Sequence, residues 1–220
     1  MPPKKKKKLP TTLIPFPNVD KKWHEKWGEG RDLINFPHPF RGVLLGPPNS
    51  GKSTCVKNIL IRADPPFEVM TVIHADPENS HKYDDTDAKV IGTITKPEEW
   101  SGVKKSLVVI DDIDVARLHR EQATALDRLF GYVSTHKNIS VFLCSQDPFN
   151  VPALVRRCAT LWILWPMTDV SSVRACAKKC GNVTFEQLFE LCENRHDSIW
   201  VDLSDNTPAK IRKNGFEIIN

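Results

Sequence analysis

The sequence lacks several features that would place the protein in common functional classes. Its 220 residues contain no apolar run near the roughly 18–20 residues needed to cross a bilayer. No apolar stretch follows the lysines near the N-terminus, so we expect a protein that is not secreted and has no membrane partner. The sequence also has no internal repeat.

The sequence has no excess of positive charge outside one short segment. The chain has 31 Lys and Arg against 27 Asp and Glu, but five of the lysines form the run Lys4–Lys8. Without that run, 26 basic residues remain against the same 27 acidic ones. This balance argues against a histone-like protein with a uniformly positive surface, so any contact with a phosphate backbone must come from local clusters.

The length of the chain, and the position of several of its six cysteines inside apolar runs, favour reduced thiols over a disulfide framework. A chain of this length can build a core without cross-links, so we expect mostly buried thiols in an intracellular compartment. Two pairs at i, i+4, Cys176 with Cys180 and Cys192 with His196, leave a zinc site as an alternative. Cys-x3-Cys is not the usual tight knuckle spacing, so packed thiols are the preferred interpretation.

Two regions of different composition follow one another. Residues 1–22 hold five of the 17 prolines and the lysine run, which predicts a disordered basic arm. Residues 23–220 are predicted to form a single domain, with 23–41 as its lead-in. Short apolar runs at 42–46, 68–75, 106–111, 139–145, 160–165 and 198–203 alternate with helical stretches at 52–62, 116–136, 169–180 and 184–195. The alternation predicts an α/β fold with a mostly parallel central sheet, helices on both faces and a C-terminal hairpin over 198–219.

The strongest motif is GPPNSGKST at residues 46–54, which contains G-x-x-x-x-G-K-[ST]. Glycines let the backbone turn tightly around a polyphosphate, and the helix that follows points its N–H groups at the same anion. We therefore predict a P-loop that binds ATP through the whole segment: Gly46, Pro47, Pro48, Asn49, Ser50, Gly51, Lys52, Ser53 and Thr54. Within it, Lys52 reaches the β- and γ-phosphates and the Ser53 hydroxyl ligates Mg²⁺.

The apolar run SLVVID at 106–111 predicts a buried strand that ends in acidic residues. Because ligands gather at the carboxyl edge of a parallel sheet, Asp111 is placed to hold Mg²⁺ opposite Ser53. Asp112 could orient or deprotonate the attacking water, with a helix N-cap as the alternative for either residue. For Asp114, the cap is the preferred interpretation.

A second polar residue follows the run ISVFLCS at 139–145. Gln146 can donate and accept hydrogen bonds at once, which suits a side chain that contacts the γ-phosphate or the catalytic water. The alternative is a strand-end residue that only caps the next turn.

Four segments in this order resemble viral genome-packaging ATPases of the poxvirus type, within the FtsK/HerA group of P-loop ATPases. They are GPPNSGKST at 46–54, VVIDD at 108–112, HKNISVFLCSQ at 136–146 and VPALVRRCATLWIL at 151–164. The resemblance implies an extra strand between the two nucleotide-motif strands. It also implies a hexameric or pentameric ring that threads double-stranded DNA into a preformed capsid, working with a capsid or portal protein.

The same resemblance implies roles for individual residues. Asp111 and Asp112 take the metal and base positions, and Gln146 takes the sensor position. Arg156 or Arg157 matches an arginine that reaches a phosphate, either in its own subunit or in a neighbouring one, with Arg117 and Arg120 as rivals.

Other functions stay open on the sequence alone. A P-loop nucleoside or nucleotide kinase is one, although Asp127 and Arg128 fit a surface helix better than a substrate site. A nucleotide-gated assembly factor that does not translocate is another. Lys210, Arg212 and Lys213 form either a DNA contact or a solvated sheet edge. The lysine run is read as a nuclear-localisation signal in preference to a DNA tether or a solubilising arm, which places the protein in the nucleus or at a virion assembly site.

Overall fold

The computed structural model describes residues 38–63, 65–78, 81–178, 190, 192–203, 210–215 and 217–219. The predicted arm at 1–22, most of the lead-in and most of the predicted helix at 184–195 lie outside these residues. Within them the strands are β1 Arg41–Leu45, β2 Val69–His74, β3 Lys89–Ile91, β4 Ser106–Asp111, β5 Ile139–Ser145, β6 Leu161–Leu164, β7 Ile199–Asp202, β8 Lys210–Lys213 and β9 Glu217–Ile219.

All nine strands join one sheet in the order β3-β2-β4-β5-β1-β6-β7-β8-β9. The first six positions pair in parallel and the last three strands add in antiparallel fashion. Strand β5 lies between β1 and β4, which confirms the extra strand implied by the resemblance. The mixed sheet also confirms the predicted α/β class.

Four helices accompany the sheet in the described part of the chain: α1 Lys52–Arg62, α2 Arg120–Arg128, α3 Ala153–Cys158 and α4 Val170–Ala177. Helix α1 ends just before Pro65 and Pro66, which cannot extend the hydrogen-bonded ladder. Helix α2 continues through a π-helical turn, Leu129–Val133, and a last turn, Ser134–His136. None of the described helices is both long enough and apolar enough to span a membrane.

Two apolar clusters cover the two faces of the sheet. Strand β4 shows the division, because Val108 and Ile110 join one cluster while Leu107 and Val109 join the other. Helix α1 supplies Cys55, Val56 and Ile59 to the second cluster. Helix α2 and its π-helical turn supply Leu126, Leu129 and Phe130 to the first cluster. The central strands are thus buried on both sides, as their continuous apolar runs predict.

The structure corrects three predicted elements. The helix predicted at 116–136 begins only at Arg120, because Val115–Arg117 form a separate 3₁₀ turn. Asp114 caps that turn by accepting a hydrogen bond from the backbone N–H of Ala116 at 3.2 Å, as predicted for this residue. The predicted C-terminal hairpin is present as the antiparallel pair β7 and β8, and β9 extends it by a third antiparallel strand.

The helix predicted to reach residue 195 does not do so, because residues 192–198 are irregular. Strand β3 and helix α3 are not predicted from the sequence. They are three and six residues long, fewer than the repeated apolar positions needed to recognise a strand or a helix from its period.

Candidate functional site

The predicted phosphate loop joins β1 to α1 and uses backbone conformations that suit its residues. Gly51 has φ +110° and Asn49 has φ +59°, both in the left-handed region. A Cβ atom at Gly46 would lie 2.8 Å from Ser50 Oγ and 2.8 Å from Trp165 Cβ. The loop therefore has no space for a side chain at its first glycine and needs unusual backbone at its last.

Lys52 begins α1 and bends back over the loop. Its Nζ donates hydrogen bonds to the carbonyl oxygens of Gly46 at 2.7 Å and Pro47 at 2.9 Å. Burial lowers the pKa of Lys52, although the charges of Asp111 and Asp112 oppose that shift. The ammonium group is thus held against the backbone of the phosphate loop, where it would contact an anion bound by that loop.

Asp111 lies at the carboxyl end of β4 and is almost fully buried. Its Oδ2 accepts hydrogen bonds from the Ser53 hydroxyl at 3.2 Å and from the Tyr83 hydroxyl at 3.1 Å. Burial, and then the charge of Asp111, hold the pKa of Tyr83 well above its ordinary value, so this phenol donates and does not ionise. The predicted approach of Ser53 to Asp111 is present, and these hard oxygen donors fit Mg²⁺.

Asp112 follows with φ +53°, so the chain turns sharply after the strand. Its carboxylate forms an ion pair with Lys82 and lies 3.4 Å from His74 Nε2. Burial alone would raise the pKa of Asp112, but the hydrogen bond and charge of Lys82, and then His74, outweigh it and lower the pKa. Asp112 is therefore an ionised carboxylate with a partly exposed cationic partner.

These groups surround one cavity of about 770 Å³ at the carboxyl edge of the sheet. This volume is in the range of small-molecule sites. The cavity is lined by Pro48, Asn49, Ser50, Gly51, Lys52, Ser53, Thr54, Lys82, Asp111, Asp112, Gln146, Trp165 and His196. Gln146 also lines an adjoining cavity of about 300 Å³. The structure thus brings the predicted loop, both carboxylates and Gln146 together.

The four candidate arginines lie elsewhere. Arg156 is half-buried on α3 and lines a separate groove of about 370 Å³ with Phe149 and Asp127. Arg157 and Arg120 are exposed, and Arg117 pairs with Asp114 at 3.3 Å. None of these arginines lines the 770 Å³ cavity of its own chain.

Two other basic residues that the sequence singles out, Lys213 and Arg128, do not line the 770 Å³ cavity. Lys213 is largely buried and its Nζ lies 3.6 Å from Glu193 Oε1 and 3.6 Å from Asp197 Oδ2, so it is not a solvated edge residue. Arg128 is exposed and lies 3.9 Å from Glu98.

Cys55, Cys144 and Cys176 are buried in the core, and Cys180 lies outside the described residues. Among the residues that the structure describes, no group of three or more His, Cys, Asp or Glu side chains could hold a metal.

A segment from the far end of the chain holds the phosphate loop. Arg195 Nη2 donates a hydrogen bond to the carbonyl oxygen of Pro48 at 2.9 Å, and His196 Nδ1 lies 3.2 Å from the carbonyl oxygen of Ser50. Sequence reasoning named His196 only as a possible zinc ligand and missed Arg195, because nothing near either residue in the sequence points to a partner about 147 positions away.

Lys82 and Tyr83 were also missed, since they lie in a loop with no motif. His74 could have been found, because it ends a predicted strand. The pairing of β2 with β4 sets it beside Asp111.

Residues 43–163 match the family model of AAA, the ATPase family associated with various cellular activities. That match covers more than half of the chain, so the protein belongs to the AAA family. It is therefore an ATPase. A comparison with curated protein sequences gives no match.

Solved structures with the same fold include the genome packaging NTPase B204 from Sulfolobus turreted icosahedral virus 2. Its complex with ATP-gammaS aligns with a TM-score of 0.60 and 16% identity, covering 84% of this chain and 100% of that chain. Its sulfate complex aligns with a TM-score of 0.60 and 16% identity, covering 80% and 96%. The pCW3 conjugation coupling protein TcpA aligns with a TM-score of 0.55 and 15% identity, covering 96% of this chain and 70% of that chain. At these identities the similarity establishes the fold.

Proposed function

We propose that the protein is an ATP-driven motor of the poxvirus-type packaging group that translocates double-stranded viral DNA into a preformed capsid. The observation that carries the proposal is the cavity in which the phosphate loop, Asp111, Asp112 and Gln146 meet at the edge of a sheet with β5 between β1 and β4. The ordered motifs that resemble packaging ATPases support it. The fold similarity, which spans nearly all of the B204 chain, supports it further.

In this proposal each group in the cavity has one task. Lys52 leaves the loop carbonyls to neutralise the β- and γ-phosphates of ATP. Ser53 and Asp111 would hold Mg²⁺, which supplies positive charge to the phosphates when bound. Asp112 orients the attacking water and takes its proton, while Gln146 contacts the γ-phosphate and loses that partner after hydrolysis.

The central experiment measures ATP hydrolysis by the purified protein with and without duplex DNA. We expect duplex DNA to raise the rate, and we expect Lys52→Ala and Asp112→Asn each to lower it by about 10²-fold or more. Exposed Lys89→Ala serves as the matched control and leaves the rate unchanged. Hydrolysis that duplex DNA never stimulates in any assembly state would contradict the motor. Phosphate transfer to a nucleoside would favour a kinase. Biological function that survives Asp112→Asn and is lost in Lys52→Ala would favour a nucleotide-gated assembly factor.

We also propose that the working unit is a homo-oligomeric ring, a hexamer or pentamer, in which an arginine reaches the ATP of its neighbour. Arg156 and Arg157 are the first candidates and Arg117 and Arg120 the rivals, since none of them lines the cavity of its own chain. A variant that lacks the correct arginine should bind ATP and fail to hydrolyse it. Mixing it with Asp112→Asn should restore some activity, because an intact site then meets an intact arginine across an interface. No recovery with any of the four arginine variants would contradict action between subunits.

For the lysine run we propose a nuclear-localisation signal, which would bring the assembled ring to the nucleus or a virion assembly site. This addition is independent of the ATP site. Removal of Lys4–Lys8 should leave ATP hydrolysis intact and shift the protein to the cytoplasm of the host cell, as seen by fluorescence microscopy. An unchanged distribution would contradict the proposed signal.

A further inference from the structure

Lys82 is a second ammonium group in the ATP cavity, beside Lys52. Its Nζ forms an ion pair with Asp112 and lies 3.8 Å from Asp111 Oδ2. Its side chain is 44% exposed, whereas Lys52 is buried within the loop. The two lysines therefore face the same space, one fixed by the phosphate loop and the other reaching in from solvent.

The backbone that carries Lys82 is firmly anchored. Its neighbour Tyr83 is 1% exposed and bonds to Asp111, so the 3₁₀ turn His81–Tyr83 is tied to the end of β4. Two residues beyond Tyr83, Asp85 Oδ1 lies 2.5 Å from Lys57 Nζ on α1. The backbone N–H of Thr86 closes the turn on the Tyr83 carbonyl oxygen at 2.9 Å. The turn is thus fixed through Tyr83, while the side chain of Lys82 extends partly into solvent.

The present partner of Lys82 is weaker than the one that ATP would bring. Asp112 is a single carboxylate, 38% exposed, and ion pairs at such positions add little stability because water competes with them. A terminal phosphate carries more charge and more acceptor oxygens, and lysine binds it as a point charge. The same ammonium cannot fully neutralise both groups at once.

We propose that Lys82 binds the terminal phosphate of ATP and leaves Asp112 as it does so. The Asp112 carboxylate, which activates water, then loses its ion pair with Lys82 only when the cavity holds a triphosphate. When ADP is bound, the ion pair between Lys82 and Asp112 remains. The release of Asp112 rests on its proposed role as the base. The preference for a triphosphate does not depend on that role or on DNA.

The first test compares the affinities of wild type and Lys82→Ala for a non-hydrolysable ATP analogue and for ADP, by titration calorimetry. We expect Lys82→Ala to weaken the ATP analogue by about tenfold or more while ADP changes by less than about twofold. Lys82→Arg should retain most of the preference for ATP, and Lys82→Met should lose it while keeping the aliphatic stem. Lys89→Ala, an exposed lysine on β3, is the matched control. An equal loss for both nucleotides, or no loss, would overturn the proposal.

The second test asks whether Asp112 competes for the ammonium. Asp112→Asn removes the carboxylate that competes for Lys82. In the chain that has Lys82, it should raise the affinity for the ATP analogue a few-fold. In the chain that already carries Lys82→Ala, it should leave that affinity unchanged. The same effect in both backgrounds would show that Lys82 does not move. If these binding results hold and duplex DNA still fails to stimulate hydrolysis, then the motor proposal fails and the Lys82 assignment stands.

Discussion

At the scale of single residues, the site depends on places where no side chain is allowed. Gly46 shows this most clearly, since a Cβ there would press against Trp165 Cβ, an atom close to the backbone that cannot rotate away. Ser50 Oγ stands at the same distance on the other side. Gly92 has only ordinary contacts with Pro77, at 3.6 Å or more. Two glycines near the sheet edge thus differ in what their neighbours permit.

We expect Gly46→Ala to weaken binding of an ATP analogue by about tenfold or more, because the phosphate loop must shift to admit the methyl group. The melting temperature of Gly46→Ala should fall only slightly, since the phosphate loop covers the core without filling it. Gly92→Ala is the matched control and should bind as wild type does. Normal binding by Gly46→Ala, measured by titration calorimetry, would mean that the loop is looser than its packing indicates.

Much of the site could be predicted because its residues belong to short, contiguous sequence motifs. The phosphate loop is contiguous, and Asp111 and Gln146 end apolar runs whose carboxyl ends must meet in a parallel sheet. Lys82, Tyr83, Arg195 and the other missed groups come from loops whose path depends on tertiary packing. No spacing rule links Arg195 to Pro48, although their hydrogen bond is 2.9 Å long.

At the scale of elements, the C-terminal strands brace the phosphate loop through one polar cluster. Asp197 Oδ2 accepts hydrogen bonds from the backbone N–H groups of Glu193 at 2.9 Å and Asn194 at 3.0 Å. Its Oδ1 accepts one from Asn214 at the β8–β9 turn, at 3.0 Å. Arg195 and His196, which contact the loop, lie inside this cluster. The antiparallel extension of the sheet therefore helps to fix the nucleotide site.

This cluster makes stability depend on acid in a defined direction. Burial alone would raise the pKa of Asp197, but its hydrogen bonds with Asn214, Asn194 and Glu193 and the charge of Lys213 outweigh it and lower the pKa. A carboxyl whose folded pKa lies below its unfolded value, about 3.9, stabilises the fold above that pH. It loses that contribution as the pH falls further, through the folded pKa.

Asp197→Asn should therefore unfold more easily in urea at pH 7, by about 1–2 kcal/mol, and lose less additional stability than wild type between pH 5 and pH 3. Exposed Glu78→Gln is the control and should follow the wild-type curve. If the free energy of unfolding of Asp197→Asn falls between pH 5 and pH 3 as much as that of wild type, then other carboxylates cause the loss of stability in acid.

At the scale of the whole molecule, the distribution of charge is compatible with the proposed motor. The body of the chain is close to neutral once the lysine run is set aside, with 26 basic and 27 acidic residues. A motor that slides along DNA needs contacts that release easily, and a uniformly positive surface would oppose sliding. The α/β class could be predicted because long buried strands dominate the sheet, and the place of β5 between β1 and β4 was implied only by the resemblance. The third C-terminal strand, with three residues, is too short to be recognised.

The measurement that tests the motor most directly is displacement of a third strand from triplex DNA. A protein that moves along the duplex while hydrolysing ATP should strip the third strand in the presence of ATP. It should fail to do so with a non-hydrolysable analogue, and the Asp112→Asn variant should fail with ATP. Wild-type protein that hydrolyses ATP and assembles on duplex DNA, yet leaves the third strand in place, would contradict translocation.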